Sequence, residues 1–383
     1  MRLRLVLLFL ATTAASRAGA QESGSYVATL GNDTVYVESF QRTPTTIQAF
    51  VVFRAPRTDL MHYTARLRSD GSMEHFELHR LNPDASARTP TRNTTLDFLG
   101  DSMDVTNIRG DSVTTTRIAA PRWTVPMLHP WHSYSLLDVG LRQSLKASGD
   151  SVPVTVFMVG GRTATWSTMA FRDGKDALGI RWVGGIFRTH FDSSGHLDQL
   201  NATETTVKTR AVLGGPINVR ALALEYARRD STGKGLGAVS PRDTVRQTVG
   251  SVPVMIDYGR PSQRGRTLFG GLVPDGEVWR TGADAATQLE IGAGGAEIAG
   301  RPLPAGKYTL WLLPRPGADT LIVNSQSGQW GTSYDAAKDF LRVAVERQPL
   351  APAVERFTIS VEPSGHFNFD WGTTRFRAKL ASN

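Results

Sequence analysis

The chain has 383 residues, with 37 Gly, 20 Pro and no Cys. Zero cysteine excludes disulfides, thiolate metal sites, a cysteine nucleophile and a lipidated N-terminal cysteine. Lys+Arg is 43 against 35 Asp+Glu, a formal charge of +8, and the 40% hydrophobic content supplies real cores, which excludes wholesale disorder.

The first twenty residues read as a secretory signal. Arg2 and Arg4 form a basic start, Leu5 to Ala15 a short apolar run, and Ala18-Gly19-Ala20 a small-x-small cleavage site. The apolar run is too short to span a bilayer as a helix, so no integral membrane segment is expected after cleavage. The expected location is exported, periplasmic or extracellular. Cleavage after Ala20 removes three arginines, so the charge falls to +5. Residues 21–247 carry +4 of it and residues 248–383 carry +1. No basic run or stripe is present, and no nucleic-acid partner is expected.

Residues 21–210 read as a β-rich N-terminal domain. Short runs such as SYVATL, DTVYVESF, TIQAFVVF and MHYTARLR are rich in Val, Tyr, Phe and Thr. Period-2 alternation is clear from Thr34 to Phe40, and turns such as Gly31-Asn32-Asp33 and Arg109-Gly110-Asp111 punctuate the runs. Trp131 to Ala147 breaks the pattern. Tyr134, Leu137, Leu141 and Leu145 recur at helical spacing, with Ser133 as candidate N-cap and Gly149 as stop. The expected architecture is a curved antiparallel sheet closed by one helix.

Residues 211–245 read as a linker region. Val219 to Arg229 fits a short helix burying Leu222 and Leu224, or a strand, and residues 231–241 are rich in Gly and Ser. Residues 246–383 again give about eight strand candidates, among them VPVMIDYG, GKYTLWLLP and ERFTISVEP. Eight short strands that each bury one face predict an antiparallel β-sandwich. Asp335 to Asp339 is expected to form one helical turn.

The C-terminal part carries a dense, ordered set of motifs. Ser240-Pro241-Arg242-Asp243-Thr244 is followed by Asp257-Tyr258-Gly259-Arg260-Pro261-Ser262 and Arg264-Gly265-Arg266. Phe269-Gly270-Gly271, Val278-Trp279-Arg280-Thr281-Gly282-Ala283, Leu303-Pro304-Ala305-Gly306-Lys307-Tyr308 and Gly328-Gln329-Trp330-Gly331-Thr332 complete it. These residues resemble the family known as domain of unknown function 2911, found in secreted bacterial proteins. Two departures stand out: Asp284 sits where the pattern usually has Asn, and Asp275 where an aromatic is common. The resemblance brings no activity with it, and the N-terminal part resembles no family.

Tyr258, Arg260, Arg266, Trp279, Arg280, Thr281, Trp330, Tyr334 and Asp335 form the candidate ligand-binding set. Arginine presents a planar donor fork for carboxylate or phosphate, and tryptophan a flat face for a sugar. The leading expectation is non-catalytic binding of a small polar or anionic ligand, such as a sugar or envelope fragment. It requires Tyr258, Arg260, Trp279, Arg280 and Trp330 to line one open cleft. The competing reading makes the same residues ion pairs and turn elements of the sandwich.

Two further functions follow from other features. A hydrolase would use an Asp pair, Asp257 or Asp284 with Asp335, flanked by arginine. A hydrophobic-ligand carrier would use the N-terminal sheet, its helix, and Phe157, Met158, Met169 and Phe171, on loose analogy with lipoprotein-carrier half-barrels. His129 and His132 lack adjacent acidic or thiol ligands, so neither a metal nor a cofactor is expected. The elbow, zinc-helix and phosphate-loop motifs of common enzyme classes are absent, and the reading leans away from catalysis.

Overall fold

The computed structural model describes residues 21–83, 92–129, 132–146, 149–160 and 164–382. The signal pattern of residues 1–20 lies outside them, as do Trp131 and Ala147, the expected ends of the helix.

The N-terminal unit is one long sheet. Its first half comprises β1 (Glu22–Leu30), β2 (Asp33–Arg42), β3 (Thr46–Phe53), β4 (Asp59–Leu67), β5 (Met73–Leu81), β6 (Arg92–Phe98), β7 (Ser102–Arg109) and β8 (Ser112–Ala119). After β9 (Val125–Met127) comes α1 (Tyr134–Lys146). The second half comprises β10 (Ser151–Met158), β11 (Thr165–Arg172), β12 (Ala177–Trp182), β13 (Gly185–Phe191), β14 (Leu197–Asn201) and β15 (Arg210–Gly214). Each half is a meander of hairpins, and antiparallel pairing of β1 with β15 welds them into fifteen strands. Among the described residues of this sheet, only β9 runs parallel to its neighbour, β10.

Chain connectivity forces this sheet to curl. β8 and β9 are its two opposite edges, yet only residues 120–124 separate them in sequence. Five extended residues reach about 18 Å at most, so the edges must lie close together. Thr165 Oγ1 donates to the Ala119 carbonyl at 3.2 Å across the gap. The result is a nearly closed, curved antiparallel sheet wrapped around α1.

The core follows from the period-2 pattern of β2. Tyr36, Glu38, Phe40 and Arg42 share one face and point inward. Tyr36 and Phe40 join the main core with Leu136, Leu137 and Leu141 of α1. Contact is close, because a Cβ on Gly140 would lie 2.4 Å from Val125 Cγ2. The alternate residues Val37 and Val52 face outward into a second cluster. Helix α2 (Val219–Ser231) covers that cluster with Val219, Ala223 and Tyr226.

Two buried polar contacts seat α1. The Glu38 carboxylate is fully buried and accepts from Tyr134 N at 2.8 Å and Ser135 N at 3.1 Å. It also accepts from Tyr36 OH at 3.0 Å and Tyr63 OH at 2.6 Å. A strand carboxylate therefore satisfies the orphan donors at the helix N-terminus, where the helix dipole also favours negative charge. The expected cap, Ser133, instead uses its hydroxyl to accept from Leu128 N at 2.9 Å. One turn further, buried Asp138 accepts from Arg42 Nη1 at 2.7 Å, His196 Nδ1 at 2.9 Å and Leu197 N at 2.7 Å.

The linker expectation needs correction. β15 pairs with β1 in the middle of the sheet and α2 covers β2 to β4, so residues 210–231 belong to the N-terminal unit. α2 buries Ala223 and Tyr226, while Leu224 is 40% exposed. The helix packs through the spacing of Val219, Ala223 and Tyr226 because that stripe meets the sheet.

The C-terminal unit begins with β16 (Arg242–Val249), before the expected boundary at 246. It continues with β17 (Val252–Gly259), β18 (Thr287–Ile291), β19 (Ala296–Ile298), β20 (Arg301–Leu303), β21 (Gly306–Leu313) and β22 (Thr320–Asn324). β23 (Asp339–Ala344), β24 (Glu346–Val361) and β25 (His366–Ser382) complete it. A six-stranded sheet, β16-β17-β18-β21-β22-β23, faces a four-stranded one, β20-β19-β25-β24. Ile256, Leu289, Leu310 and Val323 of the first pack with Phe357, Phe367, Phe369 and Trp371 of the second. This is the antiparallel sandwich that the strand pattern predicts.

Removing the Glu38 carboxylate tests how α1 is held. Glu38→Ala leaves two N–H groups and two hydroxyls buried without their acceptor, at about 1–3 kcal/mol each. Urea unfolding is expected to show a loss of at least about 3 kcal/mol, whereas Tyr63→Phe loses only about 1 kcal/mol.

Candidate functional site

The two units meet through two turns. The β1–β2 turn at Gly31-Asn32 docks against Arg264-Gly265, with Asn32 N donating to the Arg264 carbonyl at 2.9 Å. Arg264 pairs with Asp33, and Arg264 N donates to Glu355 Oε1 at 2.8 Å. Both glycines are in the left-handed region, Gly31 at φ +58 and Gly265 at φ +70. A Cβ on Gly31 would lie 2.2 Å from the Arg264 carbonyl oxygen, and one on Gly265 would lie 2.1 Å from Asn32 Nδ2. Only glycine admits both the turn and the approach.

Beside this contact lies a cleft of about 710 Å³. Leu30, Phe53 and the loop from Glu204 to Lys208 form its N-terminal wall. Arg266, Trp279, Arg280, Asp284 and Tyr334 form part of the opposite wall. Trp279 stacks on Trp371 with centroids 5.6 Å apart and planes at 15°, and Tyr334 packs on Trp311 at 4.9 Å.

Arg280 is delivered by the turn that follows it. Thr281 is fully buried at φ +44; its hydroxyl donates to the Leu310 carbonyl at 2.7 Å. Thr287 Oγ1 in turn donates to the Thr281 carbonyl at 2.7 Å. The Arg280 stem lies over Gly331, where a Cβ would come within 2.1 Å of its Cδ. Its guanidinium donates to the Gly331 carbonyl at 3.3 Å, while Nε is buried without a partner. Burial pushes its pKa down and the nearby Asp284 carboxylate opposes that. Asp284 is itself pushed up by burial, against Arg280 and Arg242.

Arg266 spends two donors on the Gln263 and Ser262 carbonyls, at 2.9 and 2.6 Å. Burial and the neighbouring Arg264 lower its pKa. Lys208, across the cleft, is lowered by burial and then by Arg280 and Arg266. None of these three cations forms a contact ion pair among the described residues. Three carboxylates also line the cleft: Glu204, which stands 3.5 Å from Arg188, Glu277 and Asp284.

The remaining members of the expected set lie elsewhere. Tyr258 is 1% exposed; its hydroxyl accepts from Ile359 N at 2.9 Å, and burial raises its pKa. Arg260 pairs with Asp243 at 2.8 Å and donates to the Phe357 carbonyl and Thr358 Oγ1, clamping β16 to β24. Trp330 is 55% exposed and is not part of the cleft lining. Asp335 caps the 3-10 turn Ala336–Lys338, accepting from Ala337 N at 3.0 Å. Tyr334 reaches the cleft with its ring, while its hydroxyl donates to Asp339 at 2.7 Å. Burial and that bond push its pKa up to about 12. So Tyr258, Arg260 and Trp330 do not share a cleft with Trp279 and Arg280. Arg266, Trp279, Arg280 and Tyr334 do come together, joined by Lys208, which carries no motif in the sequence.

The other two readings meet specific obstacles. Asp257 is engaged by Arg242 at 2.8 Å and Asp335 is a cap, so neither expected Asp pair spans the cleft. Of the expected carrier residues, Phe157 is in the core, but Met169 is 36% exposed on the outside of the sheet. His129 stacks on Phe53 at 3.8 Å and His132 packs against Tyr36 at 5.2 Å.

Residues 240–380 match the family model DUF2911, described as a protein of unknown function, and the N-terminal part matches no family model. The expected resemblance of the C-terminal part therefore holds. No curated protein matches the chain. Among solved structures, the chain is similar to a DUF1089 family protein from Pseudomonas aeruginosa at 12% identity and a TM-score of 0.32. That match covers 43% of this chain and 88% of the other. It is also similar to a beta-barrel-like protein of DUF1849 from Brucella abortus, at 12% identity and a TM-score of 0.34, covering 52% and 98%.

The docked turns make the cleft testable. Gly265→Val combines a disfavoured backbone with a clash against Asn32, and is expected to loosen the units. Limited proteolysis should then cut the Gly-rich segment 232–241 at least about tenfold faster, the result of losing about 1.4 kcal/mol of closure. Gly215→Ala, where no atom lies within 4 Å of the added Cβ and the backbone is not left-handed, should leave the domain contact unchanged.

Proposed function

We propose that this is an exported, non-catalytic binding protein whose interdomain cleft holds a small anionic ligand with a flat or sugar-like body. The observation that carries the reading is the convergence of Lys208, Arg266 and Arg280 on one cleft without a contact ion pair. Half-buried cations are costly to leave unpaired, and a bound anion would relieve that cost. Arg280 supports the reading most directly, because its buried Nε lacks a partner. Guanidinium planes suit carboxylate or phosphate, and the Trp279 face suits a sugar ring. The export part rests on the N-terminal signal pattern. Acidic sugars and sugar phosphates of the cell envelope are the ligand class with both an anionic group and a stacking face.

The test is a paired titration monitored by tryptophan fluorescence and melting temperature. Glucuronate and glucose 6-phosphate are expected to raise the melting temperature and perturb Trp279, while glucose at the same concentration does neither. Arg280→Met should weaken glucuronate binding at least about tenfold, the loss of one charge-assisted contact. Equal responses to glucose and glucuronate, or no response to any anion, would sink the proposal.

A further inference from the structure

Lys208 is held in a way that its role as one of three cations does not require. It sits at φ +60, in the left-handed region that a lysine seldom adopts. The loop between β14 and β15 fixes it there. Ala202 N donates to the Thr209 carbonyl at 2.8 Å, and Lys208 N to the Ala202 carbonyl at 3.2 Å. Thr205 is buried and its hydroxyl accepts from Val207 N at 3.1 Å. Against this loop lies Gly185, where a Cβ would come within 2.2 Å of the Glu204 carbonyl oxygen. The backbone that carries Lys208 is thus pinned on both sides, while its ammonium meets no contact carboxylate among the described residues.

The cleft surrounds this amine with what a covalent capture step needs. Arg266 and Arg280 stand on the facing wall, supplying anchors for an anionic group, and Trp279 lines the same wall. Burial, Arg280 and Arg266 all favour the neutral amine, while Glu277 and Glu204 oppose them. Asp284, on the same wall as Arg280, completes the charged groups of the lining. A lysine whose neutral form is favoured by burial and neighbouring cations is the form that attacks carbonyl carbon.

We propose that Lys208 captures carbonyl-bearing anions, a 2-oxo acid or the open aldehyde form of an acidic sugar, as a protonated imine. This rests on the cleft reading above and gives it a chemical class. The neutral amine attacks the carbonyl carbon and forms a carbinolamine. The proton released by the ammonium returns to the hydroxyl, which leaves as water, and the C=N bond forms with nitrogen carrying the positive charge. No redox partner is needed. The carboxylate of the bound molecule stays with Arg266 and Arg280.

The experiment uses residues 21–383 with pyruvate or glyoxylate and cyanoborohydride, followed by peptide mass mapping. Each trapped imine leaves a carboxyethyl or carboxymethyl group on one lysine. Lys175 and Lys307 lie on the surface and serve as internal controls. Lys208 is expected to label at least about tenfold faster than either at pH 7, because the arginines of the facing wall hold the carboxylate beside it and raise its effective concentration there. Lactate, which has the carboxylate but no carbonyl, should protect Lys208, and Arg280→Met should slow its labelling. Lys208→Arg should remove the fast site and leave labelling of Lys175 and Lys307 unchanged. If Lys208 labels no faster than the controls while lactate or glucuronate still raises the melting temperature, imine capture is overturned and the binding reading stands. If no anion produces a shift and Lys208 is not favoured, both are overturned.

Discussion

The Glu38 carboxylate lies inside the N-terminal sheet at the start of α1, where two helix N–H groups and two tyrosine hydroxyls converge on it. A buried carboxylate without partners would be strongly destabilising; four donors and the helix dipole offset that cost. Because the acceptor belongs to β2 and the donors to α1, the contact fixes both the depth and the rotation of the helix. Arg42, four residues along the same inward face, grips Asp138 one helical turn further on. Leu136, Leu137 and Leu141 can then fill the interior, and the sheet closes around them. The curved sheet sets the rim on which the end of β1, the end of β3 and the Lys208 loop form one wall of the cleft.

The second wall is a property of the sandwich loops. Thr281, buried at a left-handed φ, turns the chain directly after Arg280 and aims that side chain at the cleft. The Gly31 and Gly265 turns bring the two walls together with no room for a Cβ at either position. Neither unit alone brings Lys208 beside Arg266 and Arg280. A ligand held by all three would therefore also tie the units to one another, and binding and interdomain stability would be linked.

Much of the architecture was legible in local pattern. Alternation from Thr34 to Phe40, the hairpin turns and the spacing of Tyr134, Leu137 and Leu141 correspond to β2, the meander and α1. What pattern could not show was pairing at long range. The assignment of residues 211–245 to a linker failed because β15 completes the sheet against β1, an interaction between opposite ends of the unit. Ser133 has the residue type of a helix cap, yet the cap comes from Glu38, 96 residues before Tyr134. The candidate site divides in the same way. The motif residues that lie outside the cleft lining, Tyr258, Arg260 and Thr281, have types and neighbours indistinguishable in sequence from those that line it. Lys208 was invisible because its partners lie in the other unit and only the fold brings them near.

The most direct test of the central claim is a crystal structure of residues 21–383 soaked with selenate, whose anomalous signal locates the anion without assumption. Anomalous density bounded by Lys208, Arg266 and Arg280 is the expected result. An empty cleft in crystals that bind selenate at other basic residues would contradict the account.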